Sequence, residues 1–408
     1  MRVLVAGLAL AAVLLPAGVG AQSLSLTEAQ ALARLSDESP RVRAARAAVE
    51  VARADVAAAG RWPNPRVTFN RESVLGIAEN YLTVTQALPV GGRRELDVSV
   101  ANSRVEATLH RVDDRLRRLH ADLRLAFTDL WVTQAREREL ASSRDRLRTL
   151  SDVLGRREAG GESSGFDRLR AERSVIDVDA DRAAAAAERA RAEGLLTGFF
   201  ASTLPVTNGI EAIRPDQPPT TLPPIDDLVA RAELVRGDLL ALALEREAAS
   251  FMAQGADRRR IPEPEIVAGT KSSSAGTGDV GSVFGVHFSL PLFDHGGPER
   301  AAAHARAAQV DAEAEALRLA IRTEIGGWRA AVIERRAIAG RYRAAVNAST
   351  DDIERIALVS YESGESGILE LLDAHRTASS ARVRQAMLDA AVREAEIELE
   401  FVSGWEIP

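Results

Sequence analysis

The stretch that decides the fold is Val280-Gly-Ser-Val-Phe-Gly-Val-His-Phe-Ser-Leu290, in which large apolar residues alternate with small or polar ones. Successive side chains of a strand point to opposite faces, so one face would carry Phe284, Val286, Phe288 and Leu290. A strand that is apolar outward and polar inward over about 9–11 residues is typical of a barrel wall in lipid. The stretch therefore predicts a membrane strand, with an ordinary hairpin that caps a helical bundle as the alternative.

Three more strand-like stretches accompany it, and together they predict a chain that must oligomerise. They span residues 65–74, 79–89 and 264–272, so that 280–290 completes two strand pairs. A membrane barrel needs at least about eight strands, and an open sheet edge cannot face lipid. If these are membrane strands, one chain cannot close a barrel, whereas three chains would supply twelve strands.

Long helices fill most of the remaining chain. The spacing of apolar residues predicts helices at 27–61, 92–157, 166–203, 226–259, 297–361 and 367–403. A helix of about 65 residues is roughly 100 Å long and cannot fold into a compact domain. It must lie against similar helices of its own or of neighbouring chains, and the helices alone would favour a plain soluble coiled coil.

The chain reads as two tandem copies of one unit. Trp62-Pro63-Asn64-Pro65 matches Ile261-Pro262-Glu263-Pro264, and Gln86-Ala87-Leu88-Pro89 matches Phe288-Ser289-Leu290-Pro291. These pairs lie about 200 residues apart and in the same order, which predicts an internal repeat. The predicted organisation is a first repeat at 22–203, a Pro-rich connector at 204–225 and a second repeat at 226–408.

The first residues, 1–21, are predicted to be a secretory signal peptide. Arg2 gives a basic start, an apolar run continues to Val19, and small residues precede a cleavage site after Ala21. The alternative is an uncleaved membrane anchor. No later stretch reaches the roughly 18 apolar residues of a spanning helix, so we expect an exported protein without a helical membrane span.

Composition and motifs argue against several functions. There are no cysteines, which excludes disulfides, thiolate metal sites and a cysteine nucleophile. The formal net charge of −7 argues against nucleic acid as a partner. No nucleophile motif, dinucleotide fingerprint or phosphate loop is present, and the six histidines are scattered. We therefore expect neither enzyme activity, nor a cofactor, nor a tight metal site.

Taken together, these features resemble the TolC family of outer-membrane factors. The resemblance rests on the signal peptide, the tandem copies, the strand pairs between long helices, and the strand ends Gln86-Ala87-Leu88-Pro89 and Leu290-Pro291-Leu292-Phe293. Within the family, the segment from Ala87 to Arg94 is similar to the branch that serves heavy-metal efflux of the cobalt–zinc–cadmium type. The implied fold is mainly α with a small membrane β part. Long antiparallel coiled-coil helices form a periplasmic α-barrel, and four strands per protomer contribute to a trimeric, twelve-stranded transmembrane β-barrel.

The resemblance also implies a function. The chain would be a passive exit duct in the cell outer membrane, in contact with its lipid and extending into the periplasm. As a homotrimer it would dock to a periplasmic adaptor and to an inner-membrane pump of the proton-driven RND type, and it would serve the export of heavy-metal cations. A multidrug or type I secretion duct of the same family is an alternative. A periplasmic coiled-coil adaptor or scaffold without a pore is the alternative from another class.

Two Gly-Glu-Ser turns fall where the family has its periplasmic tips, and the resemblance makes them the candidate site. The turns are Gly161-Glu162-Ser163 and Gly364-Glu365-Ser366, which are candidates for adaptor docking. Asp167 and Arg170 follow the first turn, and Glu370 and Asp373 follow the second. These four residues are the candidates for a gate or pore ring.

Glu370 and Asp373 match positions where some family members carry acidic residues around the pore constriction. Their spacing of three puts both carboxylates on one helix face, and a trimer would repeat that face as an acidic ring that favours cations. The alternative is a solvated helix start, where the helix dipole favours acids. Ser366 stands where some members have a basic gating residue, and Arg170 is the candidate substitute for it.

Overall fold

The structure, a computed structural model, describes residues 24–161, 164–200, 209–214 and 221–406, except for the side chains of residues 347 and 348. The predicted signal peptide and parts of the predicted connector lie outside the described residues. The described chain is mainly helical and carries one larger sheet, which confirms the predicted combination of long helices with a small β part.

Helices and strands follow one another in two similar series. The first contains β1 (Leu24–Leu26), α1 (Glu28–Ala33), α2 (Pro40–Ala59), β2 (Arg66–Val74), β3 (Ile77–Ala87), α3 (Arg93–Ala159) and α4 (Gly165–Thr197). The second contains β4 (Ile210–Ala212), α5 (Ile225–Val235), α6 (Gly237–Asp257), β5 (Pro264–Ser273), β6 (Val280–Phe288), α7 (Gly297–Glu362) and α8 (Ile368–Ser403), with a short 3-10 helix at Arg258–Arg260.

The larger sheet is antiparallel, with the strand order β2-β3-β5-β6, whereas β1 pairs in parallel with β4. Within the described residues, the edge strands β2 and β6 have no further strand partner. The strands occupy the predicted places with small shifts at their ends. β3 and β6 stop two residues earlier than predicted, just before Leu88-Pro89 and Ser289-Leu290-Pro291, because proline cannot donate to a strand ladder.

The two strand pairs have the same register. Arg66 lies opposite Thr85 in the first pair. Glu265 and His287, which the sequence repeat aligns with these two residues, lie opposite each other in the second pair. Equal register at equivalent places is what tandem copies of one supersecondary unit should show.

The long helices pack side by side as two hairpins. α3 runs along α4, and α7 runs along α8, while α3 also contacts α6 and α8. Phe127 and Leu196 are buried in the first hairpin, and Ile321 and Leu399 are buried in the second. In the described part of the chain, no helix is both long and apolar enough to cross a membrane.

The prediction of continuous helices at 27–61 and 226–259 is wrong, because each region is divided into two helices in the structure. The predicted helix 27–61 is divided into α1 and α2, since Pro40 begins α2 and a proline disfavours helical backbone at the residue before it. The predicted helix 226–259 is interrupted at Arg236, whose ψ of 115° is extended. It resumes at Gly237, which lies so close to α3 that a Cβ atom there would collide with the carbonyl of His110.

The close approach of Gly237 to α3 predicts a large cost for a single methyl group. We expect Gly237→Ala to lower the free energy of unfolding by about 2 kcal/mol or more, because the backbone of α3 cannot yield as a side chain would. Gly194→Ala is the matched control, since nothing lies within 4 Å of a Cβ atom placed there. That variant should be neutral or stabilising by up to about 1 kcal/mol. Denaturant unfolding followed by helical circular dichroism measures both, and equal effects would contradict this description of the contact.

Candidate functional site at the hairpin ends

The two predicted tip turns close the two helical hairpins. Residues 160–164 connect α3 to α4, and residues 363–367 connect α7 to α8. Gly161 has a φ of 76° and Gly364 a φ of 80°, in the left-handed region that glycine adopts without strain. At both turns, therefore, a glycine in the left-handed conformation follows the end of a helix, at equivalent places in the two repeats.

A small apolar cluster brings the two hairpin ends together. Leu154 of α3, Ala171 of α4, and Ile368 and Leu371 of α8 are buried against one another. Tyr361, near the end of α7, packs at the margin of this cluster. The candidate site is thus one surface built from both repeats.

Glu370 and Asp373 share an exposed face of α8, as their spacing predicts. Leu371 and Ala374 are buried on the other side of the same turn. The Glu370 carboxylate folds back over the start of its helix. Its Oε2 atom would lie only 3.1 Å from a Cβ atom placed on Gly367. This position is the one that the positive end of the helix dipole favours.

Asp373 and Arg170, from different repeats, face the same cleft. They line a cleft of about 270 Å³ between α4 and α8, together with Arg173 and Arg376. Glu370 is not among the residues that line this cleft. Within one chain, the structure therefore separates the surroundings of the two predicted acidic residues.

Asp167 faces the opposite hairpin. Burial and the nearby Asp167 carboxylate raise the pKa of Tyr361, while Arg157 acts in the other direction. Arg170 stacks its guanidinium 4.4 Å from the centre of the Phe166 ring. Asp167 of α4 therefore lies near Tyr361 of α7, a residue that the sequence did not single out.

The turn residues differ in exposure. Gly161, Gly364 and Glu365 are exposed, which suits surface contacts. The Ser366 hydroxyl is buried and has no hydrogen-bond partner among the described residues, although its backbone N–H donates to the Ser360 carbonyl at 3.1 Å. Glu162 and Ser163 lie outside the described residues.

An ionic network close to the hairpin ends was missed from the sequence. Glu354 of α7 accepts hydrogen bonds from Arg382 at 2.6 Å and, at 3.2 Å, contacts His375 Nδ1 of α8. Arg146 of α3 lies 3.7 Å from Glu354, and Glu139 of α3 pairs with both Arg146 and Arg382. These residues tie α3, α7 and α8 together, and we name them the Glu354 network.

Seven-residue spacing is the signal that could have found the network. Glu139 and Arg146 are seven apart on α3, and His375 and Arg382 are seven apart on α8. Residues with this spacing lie on the same side of a coiled-coil helix. No group of three or more His, Asp or Glu residues in the described part of the chain is placed to hold a metal ion.

The chain consists of two repeats of a strand pair and a long helical hairpin. The repeats share one sheet and one set of hairpin ends. Residues 228–404, most of the second repeat, match the family model of the outer membrane efflux protein. The cobalt-zinc-cadmium resistance protein CzcC of Cupriavidus metallidurans is 23% identical over 355 residues, which cover 84% of this chain and 81% of that protein.

Solved structures share the fold over almost the whole chain. A membrane protein from Pseudomonas aeruginosa superposes with a TM-score of 0.75 at 20% identity, covering 92% of this chain and 93% of that one. The CmeC outer membrane channel of Campylobacter jejuni also gives a TM-score of 0.75, at 13% identity, covering 92% of this chain and 86% of that one.

The match of residues 228–404 to the outer membrane efflux protein model and the similarity to CzcC confirm the resemblance to TolC-type factors drawn from the sequence. The similarity to CzcC agrees with the branch that Ala87 to Arg94 indicated. The relatives are efflux and channel proteins rather than enzymes.

The Glu354 network predicts a loss of stability in acid. Burial raises the pKa of the Glu354 carboxyl, but the hydrogen bonds from Arg382 and His375 outweigh it and hold the pKa below its ordinary value. A carboxyl with a depressed folded-state pKa stabilises the fold above its unfolded pKa of about 4.3, and this stabilisation is lost as the pH falls through the lower folded-state value.

We expect the melting temperature to fall below about pH 4.5, and to fall less steeply in Glu354→Gln. Thermal unfolding measured between pH 7 and pH 3 compares the two proteins. Glu362→Gln, at an exposed acid at the end of α7, is the control and should keep the wild-type slope. A wild-type slope in Glu354→Gln would contradict the predicted role of this carboxylate.

Proposed function

We propose that three copies of this chain form an outer-membrane exit duct for heavy-metal cations. The four-stranded sheets close into a twelve-stranded barrel in lipid, and the helical hairpins form a tube that extends into the periplasm. The hairpin ends dock to a periplasmic adaptor, through which an inner-membrane pump of the RND type delivers the cargo.

The observation that carries the proposal is a sheet that is apolar on one face and, in the part of the chain that the structure describes, unpaired at both edges. One row across the sheet consists of Val67, Val84, Ala268 and Phe284, and the Phe284 side chain is 81% exposed. An exposed apolar sheet with open edges is an aggregation hazard in water, and lipid does not tolerate open edges. Pairing of β2 with β6 of the next copy satisfies both requirements.

The opposite face of the sheet suits a wet lumen. One row on that face, three residues along the strands from the first, consists of Asn70, Tyr81, Lys271 and Gly281. Lys271 is paired with Glu79 at 2.8 Å, so its charge is balanced on the same face. Alternation of lipid-facing and lumen-facing residues along every strand is the pattern of a membrane barrel.

The hairpin ends are the proposed docking and gating surface. Gly161, Gly364 and Glu365 are exposed for contact with an adaptor. Glu162, Ser163 and Ser366, which adjoin them in the sequence, are proposed to take part in the same docking. Glu370 and Asp373 are exposed on one helix face, so three copies would present six carboxylates in a ring. Asp167 and Arg170 lie beside this ring, and the Asp373–Arg170 cleft balances part of its charge.

The proposed cargo rests on the similarity to CzcC and on the acidic face of α8 that carries Glu370 and Asp373. CzcC is a cobalt-zinc-cadmium resistance protein, and it covers most of this chain. An acidic ring concentrates divalent cations, and an exposed ring releases them more readily than a closed site would.

The trimer is tested by membrane fractionation and gel mobility. We expect a detergent-extracted trimer that resists SDS until it is heated, because the closed barrel leaves no open edge. Lys271, the single lysine of the chain, gives a topological control. In intact cells, a bulky, membrane-impermeant amine reagent should label the wild-type chain but not the Lys271→Arg variant of it. A monomer in the soluble periplasmic fraction would instead support a coiled-coil adaptor or scaffold.

The acidic ring is tested by single-channel recording. Glu370→Gln combined with Asp373→Asn should reduce cation selectivity and weaken block by cobalt, zinc or cadmium ions about tenfold, because each nearby carboxylate contributes on the order of 1 kcal/mol. Glu106→Gln with Asp113→Asn removes two exposed acids on α3, about 70 Å or more from the hairpin ends. Unchanged block in the first variant, or an equal effect in the control, would rule out the ring.

A further inference from the structure

The end of the sheet that meets the helices carries a repeated combination of proline and exposed apolar side chains. β2 and β5 begin there, and β3 and β6 end there. Exposed large residues lie beside each of the four strand ends: Trp62, Val90, Ile261, Leu292 and Phe293. Trp62 is 57% exposed and Phe293 is 98% exposed, so apolar surface is present beside this end of the sheet as well.

The segments that hold these side chains are rigid. The N–H of Val90 donates to the Leu88 carbonyl at 2.8 Å, and the N–H of Leu292 donates to the Leu290 carbonyl at 2.9 Å. Each bond closes a three-residue turn with proline at its centre, an inverse γ-turn in both repeats. Gln86 also donates to the Pro63 carbonyl at 3.0 Å, which ties the segment before β2 to β3.

An arginine stands next to the apolar residue at both equivalent strand starts. Arg61 precedes Trp62-Pro63, and Arg260 precedes Ile261-Pro262, so Arg followed by a large apolar residue and proline occurs once in each repeat. Both arginines are exposed. Among the described residues, neither has an acidic partner.

Four of the nearby acids are already paired with other arginines. Glu263 pairs with Arg93 at 3.7 Å, and Asp257 pairs with Arg300 at 2.7 Å. The two acids near the end of β6, Asp294 and Glu299, both pair with Arg259. The positive charges of Arg61 and Arg260 are therefore left for a ligand, although the whole chain is acidic.

From these observations we infer that the residues beside the strand starts form a binding belt for anionic phospholipid headgroups at the periplasmic face of the outer membrane. The inference rests on the proposed function, since it needs the sheet to lie in lipid. Trp62 and Ile261 enter the boundary between acyl chains and headgroups, where amphipathic and aromatic side chains are favoured. Arg61 and Arg260 extend towards the lipid phosphates, and a trimer presents six such arginines around its circumference.

The chemistry favours an anionic lipid over a zwitterionic one. An arginine near a negatively charged surface enriches anionic headgroups about fivefold, and the effect weakens with salt over a Debye length of about 10 Å at 0.1 M. The guanidinium fork matches phosphate oxygens, which adds orientation to the attraction.

The test uses the full-length trimer reconstituted into phosphatidylcholine vesicles that contain an equal mole fraction of either brominated phosphatidylglycerol or brominated phosphatidylcholine. Bromine quenches tryptophan at short range, and the signal from Trp62 is the part that disappears in Trp62→Phe. We expect the phosphatidylglycerol quencher to act several-fold more strongly on Trp62 than the phosphatidylcholine quencher. The preference should vanish in Arg61→Gln/Arg260→Gln and in 1 M salt.

A matched control keeps the result specific. Arg115→Gln/Arg318→Gln removes two exposed arginines from α3 and α7, each about 30 Å along its helix from the sheet, and it should retain the preference. Equal quenching by the two lipids in the wild type, or an unchanged preference in Arg61→Gln/Arg260→Gln, would overturn the belt alone. An absence of Trp62 quenching by either lipid in a correctly folded trimer would instead overturn the proposed membrane position of the sheet.

Discussion

A sheet with an exposed apolar face and two unpaired edges is the constraint on which the rest of this protein depends. Within the described residues, the outer backbone groups of β2 and β6 have no strand partner. Leaving such groups unsatisfied in hydrocarbon costs several kcal/mol each. In the proposed membrane position a single chain cannot meet this requirement, whereas a ring of identical chains would meet it by pairing β6 of one copy with β2 of the next. All four strands join their helices at the same end, so the helices leave the sheet together and the hairpin ends α3–α4 and α7–α8 collect at the far end.

The strands were predictable because their information is local. The alternation in residues 280–290 and the matched segments Trp62–Pro65 and Ile261–Pro264 located β6, β2 and β5 closely, since strand faces follow a period of two residues. The break between α5 and α6 was not predictable. It coincides with the close approach of Gly237 to His110, two residues far apart in the sequence. An isolated glycine in an otherwise helical pattern gives no sign of such an approach.

At the hairpin ends, the sequence indicated which residues gather but not what they touch. Glu370 and Asp373 share a face as expected, yet Glu370 turns to its own helix start while Asp373 lines a cleft that Arg170 also lines. The proposed ring is built from three copies, so residue spacing within one chain predicts its members but not their arrangement. The Glu354 network could not be predicted from the sequence, because each helix contributes only one or two of its members. Charged residues seven apart are also the pattern of a solvated coiled-coil face.

Disulfide formation between copies tests the central claim most directly. The repeat aligns Gly285 with Thr83 and Asn70 with Gly269, and Thr83 pairs with Gly269 within the chain, so Gly285 should lie opposite Asn70 of the partner subunit. The chain has no cysteine, so Asn70→Cys/Gly285→Cys introduces a unique pair. Within one chain these positions are about 20 Å apart, three strands across the sheet and four residues along it, beyond the reach of a disulfide. Oxidation of membranes should give covalent dimers and trimers on non-reducing gels, and Asn70→Cys/Gly281→Cys, shifted by four residues, should not. Monomers alone, or equal cross-linking in both variants, would contradict closure of the sheet between copies.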